Sequence, residues 1–323
     1  MCDLAIIVPC YNEEEVLQNT FNKLNEILCK LIISNSVSNK SKILFVNDGS
    51  RDNTYNIICD LYNKNKNVLA INLAANSGHQ NALMAGIEYA KDRFDCSITI
   101  DADLQDDPEA IIEMVEKYNN GCDIVYGIRN DRGSDSFFKR NSANAFYGIM
   151  NLLGAKTIKN HADFRLLSSR AMIALSEYKE NNLFLRGIVT NLGFKTDRVY
   201  YKRLKRQAGK TKYPFRKMMS FAVQGITSFS IKPITFIAGL GAVIMFFSIC
   251  AFIYTLVSYF LGKTAPGWSS VMISIWFIGG VQLFALGMIG KYIGKIYLET
   301  KHRPRYIIES ILSDENNDET TAN

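Results

Sequence analysis

The 323-residue chain has neither a Walker-type glycine loop nor a G-x-G-x-x-G dinucleotide fingerprint. A nucleotide burned as fuel would therefore lack its usual phosphate cradle. Its seven cysteines, at positions 2, 10, 29, 59, 96, 122 and 250, make no close metal-type pair, and their number is odd. Reduced thiols in a cytosolic domain are expected. The first residues lack the basic region of a secretory signal, because Asp3 stands there and a strand pattern follows at once. No internal repeat is evident. Charge is missing altogether from Ile234 to Leu261 and from Gly267 to Gly290. Each stretch exceeds the roughly 20 apolar residues that cross a bilayer.

Hydrophobic residues make up 48% of the chain, high for a soluble protein, and the formal net charge is +6. The basic residues gather between Lys195 and Lys217 and between Lys291 and Arg305, on either side of the uncharged stretches. Juxtamembrane positive charge points to anionic lipid on the cytoplasmic side, not to nucleic acid. Both flanks are basic, and Gly262 to Pro266 is a short turn with one lysine. The expected topology is a hairpin crossing the cell membrane twice, with both termini in the cytosol.

The stretch Cys96 to Pro108 carries the chemistry. An apolar, β-branched run ends in Asp101-Ala102-Asp103-Leu104-Gln105-Asp106-Asp107, and a proline then opens a helical pattern. This reads as a buried parallel strand delivering acids at its carboxyl end, where open α/β sheets bind ligands. Residues two apart in an extended segment share a face, so Asp101 and Asp103 would look into one site. Such a pair suits a hard divalent cation that also holds a diphosphate. Asp106 or Asp107 alone could cap the helix, which leaves Asp101 and Asp103 unexplained.

Strands expected at Leu4–Val8, Ile43–Val46, Val68–Leu73 and Asp123–Gly127 alternate with helices, the pattern of a mainly parallel sheet. Glu13, Glu14 and Glu15 are expected in the first turn of a helix running to about Ile33, where acids complement the dipole. Polar clusters follow four strand ends: Pro9 to Glu13, Asp48 to Thr54, Asp101 to Gln105 and Tyr126 to Arg129. Four at one sheet edge favour a pocket for a nucleotide used as substrate. Phe137 to Leu153 and Pro214 to Lys232 mix aromatic, apolar and basic residues, and the second suits a helix lying at a membrane surface.

These motifs resemble the GT-A fold glycosyltransferases of family 2, in the polyprenyl-phosphate branch of dolichol-phosphate mannose synthases and bactoprenol glucosyltransferases. The resemblance covers essentially the whole chain. It rests on Pro9-Cys10-Tyr11-Asn12-Glu13-Glu14, Asp48-Gly49-Ser50-Arg51-Asp52, Asn76-Ser77-Gly78-His79-Gln80-Asn81, and Asp101-Ala102-Asp103-Leu104-Gln105-Asp106. Downstream it adds Ala162-Asp163-Phe164-Arg165, Phe184-Leu185-Arg186-Gly187 and Arg206-Gln207-Ala208-Gly209-Lys210-Thr211-Lys212. Asp107 stands where proline is usual and Thr211 where serine is usual. The implied architecture is a Rossmann-like GT-A domain over 1–213, an interfacial helix over 214–233 and transmembrane helices over 234–261 and 267–293. A basic, then acidic and disordered tail would fill 294–323.

By position, the resemblance implies that Pro9, Tyr11, Glu13, Val46 and Asp48 line the base pocket, and that Asp101 and Ala102 follow the ribose and diphosphate. Asp103 and Gln105 would hold Mg²⁺ or Mn²⁺, and Arg129, Arg140, Arg206 and Lys212 would grip phosphates. Asp163 would orient Arg165, contact the sugar or assist as a base, while His79 and His161 would be structural or touch the sugar. The implied reaction is inverting transfer of a sugar to a membrane polyprenyl phosphate. UDP-glucose is the first choice of donor, with UDP-N-acetylhexosamine or another nucleotide sugar close behind. A processive polysaccharide synthase would need a Gln-x-x-Arg-Trp motif and more membrane helices, and both tryptophans, 268 and 276, lie in the second span. A non-catalytic nucleotide-sugar sensor or scaffold would gain nothing from a metal site. Glycines such as Gly239, Gly279 and Gly287 would permit close helix packing in a homo-oligomer.

Overall fold

A computed structural model describes residues 1–130, 161–180, 185–202 and 267–313, with scattered positions between 237 and 261. Two compact units make up the chain: one of Met1–Gly148, Lys156–Pro214 and Pro304–Asn323, the other of Ile149–Ala155 and Phe215–Arg303.

The first unit is built on an eight-stranded sheet, ordered β7-β5-β6-β4-β1-β2-β3-β8. Its strands are β1 (Leu4–Cys10), β2 (Lys42–Asn47), β3 (Val68–Leu73), β4 (Cys96–Thr99), β5 (Ile124–Arg129), β6 (His161–Ser168), β7 (Thr196–Tyr201) and β8 (Ile308–Leu312). β1, β2, β3 and β4 pair in parallel, as do β5 and β7. β6 runs against both β4 and β5, and β8 runs against β3. β1 and β3 are buried along their whole length, as continuous apolar runs in a sheet covered on both faces should be. The helices α1 (Leu17–Ile33), α2 (Thr54–Lys64), α3 (His79–Ala90) and α4 (Ala110–Asn119) connect the parallel strands. The short α5 (Ser169–Ser176) and α6 (Leu185–Asn191) follow β6.

Three expectations need correction. Glu13 to Glu15 do not lie in the first turn of α1, which starts at Leu17 with no acid there. Glu13 instead accepts the N–H groups of Val16 and Leu17 on its backbone carbonyl in a preceding turn, and the Glu14 carboxylate accepts the Asn53 N–H at the head of α2. The Glu14 carboxylate thus serves the neighbouring loop. Second, β4 ends at Thr99, so Asp101 and Asp103 do not alternate along a strand. Third, the basic tail expected to begin at 294 is not a separate segment: the helix from Trp268 continues through it to Thr300, and residues 308–312 form the edge strand β8.

That helix, α7 (Trp268–Thr300), belongs to the second unit and has 33 residues, about 50 Å of rise. Within it Phe277–Thr300 is long and apolar enough to cross a membrane. Leu283, Phe284, Leu286 and Ile293 are all exposed on it. A two-helix hairpin is not seen among the described residues, since most of 234–261 lies outside them. The expected helices at 137–153 and 214–232 also lie outside, as do Arg140, Arg206 and Lys212.

Candidate active site

The acidic turn after β4 is pinned from below. Ala102 and Leu104 are buried, Thr20 of α1 donates its hydroxyl to the Ala102 carbonyl at 2.6 Å, and the Leu104 N–H reaches the Asp101 carbonyl at 3.4 Å. Leu104 holds φ 47°, a conformation that a non-glycine residue keeps only where its surroundings impose it. With the apolar residues turned inward, Asp101 and Asp103 are left half-exposed at the carboxyl edge of the sheet. Both carboxylate oxygens of Asp103 accept from Gln105, from its N–H at 3.2 Å and its side-chain amide at 2.8 Å. Asp106 faces the interior and takes both Arg129 Nε and Nη2 on one oxygen at 2.8 Å. Arg129, expected to grip phosphate, is therefore committed to tying the acidic turn to β5. Asp107 accepts the Glu109 N–H in the turn that leads into α4.

The direction of β6 decides what meets Asp101. Thr99 pairs with Arg165, so extending that antiparallel register two residues brings Asp163 opposite Asp101. The Asp163 carboxylate is nearly buried and is gripped by three groups. Arg165 Nη2 lies at 2.6 Å, Arg186 binds with Nη2 at 2.9 Å and Nε at 3.2 Å, and His79 Nε2 stands at 3.7 Å. The same His79 nitrogen is 3.5 Å from Asp101. Arg165 also donates to the Leu185 carbonyl, and Gln80 accepts the Leu185 N–H, which fastens α6 to the head of α3.

Electrostatics follow from this packing. Burial works to raise the Asp163 carboxyl, but Arg186, His79 and Arg165 hold it well below the usual carboxylate range. Burial opposes charge on His79, yet the hydrogen bond to Asp163 and the charge of Asp101 raise its pKa. Burial pushes Asp101 up to about 6, with His79 pulling it down and Asp163, Asp106 and Asp103 adding to the rise. Carboxylates crowded at one edge favour an arriving cation. Among the described residues no group of three His, Cys, Asp or Glu side chains is placed to hold a metal ion by itself. Asp103 and the Gln105 amide offer hard oxygen donors, which fits an Mg²⁺-like ion that keeps water or substrate phosphate in most of its shell.

The residues expected at the base pocket divide. Tyr11 is exposed and Glu13 half-buried, whereas Pro9 and Val46 sit inside the sheet. Asp48, also buried, accepts the Ser77 and Gly78 N–H groups at 2.7 and 3.0 Å, ordering the loop before α3. Gly49 is required beside it: φ is +61°, and a Cβ would meet the Ala75–Asn76 backbone at 2.6 Å. Two partners escaped the sequence reading. Arg186 appeared there only as a motif letter, and His79 as structural or sugar-contacting. The signal that would have found both is Asp163 itself, a buried acid in need of cations.

The sequence profile of "Glycosyl transferase family 2" matches residues 5–175. An uncharacterized glycosyltransferase of Bacillus subtilis (strain 168), YkoT, is 53% identical over 97% of this chain and 93% of its own. A bactoprenol glucosyl transferase of Shigella phage SfV is 38% identical over 95% of this chain and 98% of its own. Among solved structures, a mannosyl-3-phosphoglycerate synthase from Rubrobacter xylanophilus is 13% identical, covering 70% of this chain and 73% of that one, with a TM-score of 0.48. The chain is a glycosyltransferase with a GT-A-like α/β fold, and it belongs to glycosyl transferase family 2.

Proposed function

We propose that this enzyme transfers glucose from UDP-glucose to the phosphate of a membrane polyprenyl phosphate, undecaprenyl phosphate in a bacterium, with inversion at the anomeric carbon. The observation that carries the reading is the cluster at the carboxyl sheet edge, where His79, 3.5 Å from Asp101, joins Arg165 and Arg186 around Asp163. The bactoprenol names of full-length relatives support the lipid acceptor. A phosphate monoester has its second pKa near 6, so the acceptor oxygen is already charged at neutral pH. It needs no strong base, and Asp163, held ionised among Arg165, Arg186 and His79, is a poor one. Asp163 acts as a positioning residue that aims Arg186 and His79 at the reaction space.

The acceptor oxygen forms a bond to the anomeric carbon as the bond to the UDP oxygen breaks, and the departing diphosphate keeps the electron pair. Tyr11 and Glu13 are the base-pocket residues best exposed to a ligand. Bound Mg²⁺ or Mn²⁺, held by Asp103 with Gln105, would neutralise charge on the diphosphate. Arg140, Arg206 and Lys212 are proposed to hold the acceptor phosphate.

The membrane placement has its own support. β7 and β8 lie in one sheet, so the chain leaves that unit and rejoins it after α7. If the intervening segment crosses a bilayer, it must cross an even number of times. A hairpin with both ends in the cytosol satisfies this, and the exposed apolar surface of α7 would then face lipid.

The test is turnover of radiolabelled UDP-glucose with undecaprenyl phosphate by full-length protein in detergent, beside UDP-N-acetylglucosamine and UDP-galactose. A glucosylated lipid phosphate is expected. Its absence with all three donors, in protein that binds UDP, would overturn the acceptor assignment.

A further inference from the structure

We infer that the C-terminal strand β8, which follows the long apolar helix, is a working part of the nucleotide pocket, with Glu309 and Asn72 as positioning residues. The inference rests on the nucleotide reading of the β1 and β2 loops. β8 pairs Ser310 with Asn72 and Ile308 with Leu73, so Glu309 is the extra residue of a bulge. Bulges re-aim side chains, and this one turns Glu309 onto the sheet edge. Its carboxylate accepts the Asn72 side-chain amide at 2.7 Å. The Asn72 oxygen accepts the Asn47 amide, also at 2.7 Å, and the Asn47 oxygen accepts the Ser50 N–H at 3.3 Å. Ser50 accepts the Asn12 N–H at 3.1 Å, and Asn12 accepts the Arg51 N–H at 2.9 Å.

A continuous relay thus runs from the C-terminal strand to the two loops that carry Tyr11, Glu13 and Asp48. Asn47 and Asn72 are buried, so each needs its partner, and each can satisfy one neighbour only by presenting its amide the right way round. Glu309, an acceptor only, sets that orientation at the far end. A second strut runs in parallel: Tyr55, the second residue of α2, bonds Ser310 at 3.0 Å, while Thr54 accepts the Glu13 N–H at 2.9 Å. Nothing in the sequence around Glu309 announces such a role, because the relay exists only once β8 has docked on β3.

The test uses full-length protein with N72D, E309Q, N72D/E309Q and the milder E309A. N72D keeps an acceptor for the Asn47 amide but sets a second carboxylate against Glu309 with no proton between them. Adding E309Q to it restores a donor at that contact. Hydrogen exchange at amides 47–53 should rise several-fold in N72D and E309A and return in the double variant. The KM for UDP-glucose should rise roughly three- to tenfold, the range for a partly exposed charge-assisted bond, with kcat and the acceptor KM within about twofold. Unchanged exchange in 47–53, or a loss shared equally by kcat and both KM values, or failure of the double variant to rescue, would overturn the inference. If wild-type protein bound no UDP, the nucleotide reading would fall, while the exchange data would still decide whether β8 orders the loops.

Discussion

Replacing Asp163 with asparagine removes a charge but keeps an acceptor in nearly the same shape, so it isolates what the carboxylate does. Arg165 is only 2% exposed, and its guanidinium has no route to water. Leaving a buried charge without its partner costs about 3–5 kcal/mol, and the retained amide oxygen argues for the lower end. Arg186 is 42% exposed and can resolvate, so its share is small. At about 2–4 °C per kcal/mol for a domain of this size, Tm should fall roughly 6–12 °C. Removing both charges in D163N/R165Q should cost less than the sum of the single changes, with a coupling of at least about 1.5 kcal/mol. The pH sign is fixed by the depressed folded pKa of Asp163. Its stabilisation is complete above the unfolded value near 4 and fades as pH drops through the lower folded value. The gap between wild type and D163N should therefore narrow in acid. Melting of the full-length protein in detergent reads all of this. Strictly additive single changes, or a D163N melt within about 1 °C of wild type, would refute the buried-clamp argument. An acid limb in kcat between about pH 5 and 8 that D163N erases without moving Tm would restore Asp163 as a base.

Three other outcomes are expected. D103N should remove most transfer at unchanged Tm, and EDTA should silence the wild type until Mg²⁺ or Mn²⁺ is returned; full activity in EDTA would rule out the cation. D106N should destabilise by about 1–3 kcal/mol and release Arg129, because a nearly buried carboxylate loses its charge-assisted bonds; urea melts check it, and no change would mean Arg129 finds another partner. A cysteine at Thr264 should react with an impermeant reagent from outside whole cells and one at Asn316 should not, and the reverse would invert the topology.

The parallel half of the sheet was legible in the sequence because its strands are local and unambiguous. Val68–Leu73 is expected and found with the same bounds, and the helix expected over 79–91 is α3. The acids of the 101–107 stretch were legible as a site for the same reason: acids that directly follow a short β-branched, buried strand must sit at its end. What each acid does was not legible, since strand alternation was the wrong geometry for a turn held by Ala102, Leu104 and Thr20. Asp103 stays near Gln105, Asp106 turns inward to Arg129, and Asp107 closes the turn before α4, three fates for one acidic run. β6 and β8 also escaped, because an antiparallel strand carries no sign of its direction in its own residues. Direction alone sets Asp163 against Asp101, where His79 lies close to both. Composition and period thus determined which segments form the sheet and which edge bears the chemistry. Only long-range pairing, of Thr99 with Arg165 and of Ala70 with Leu312, decided which charges share a site, because that choice depends on contacts no local segment encodes.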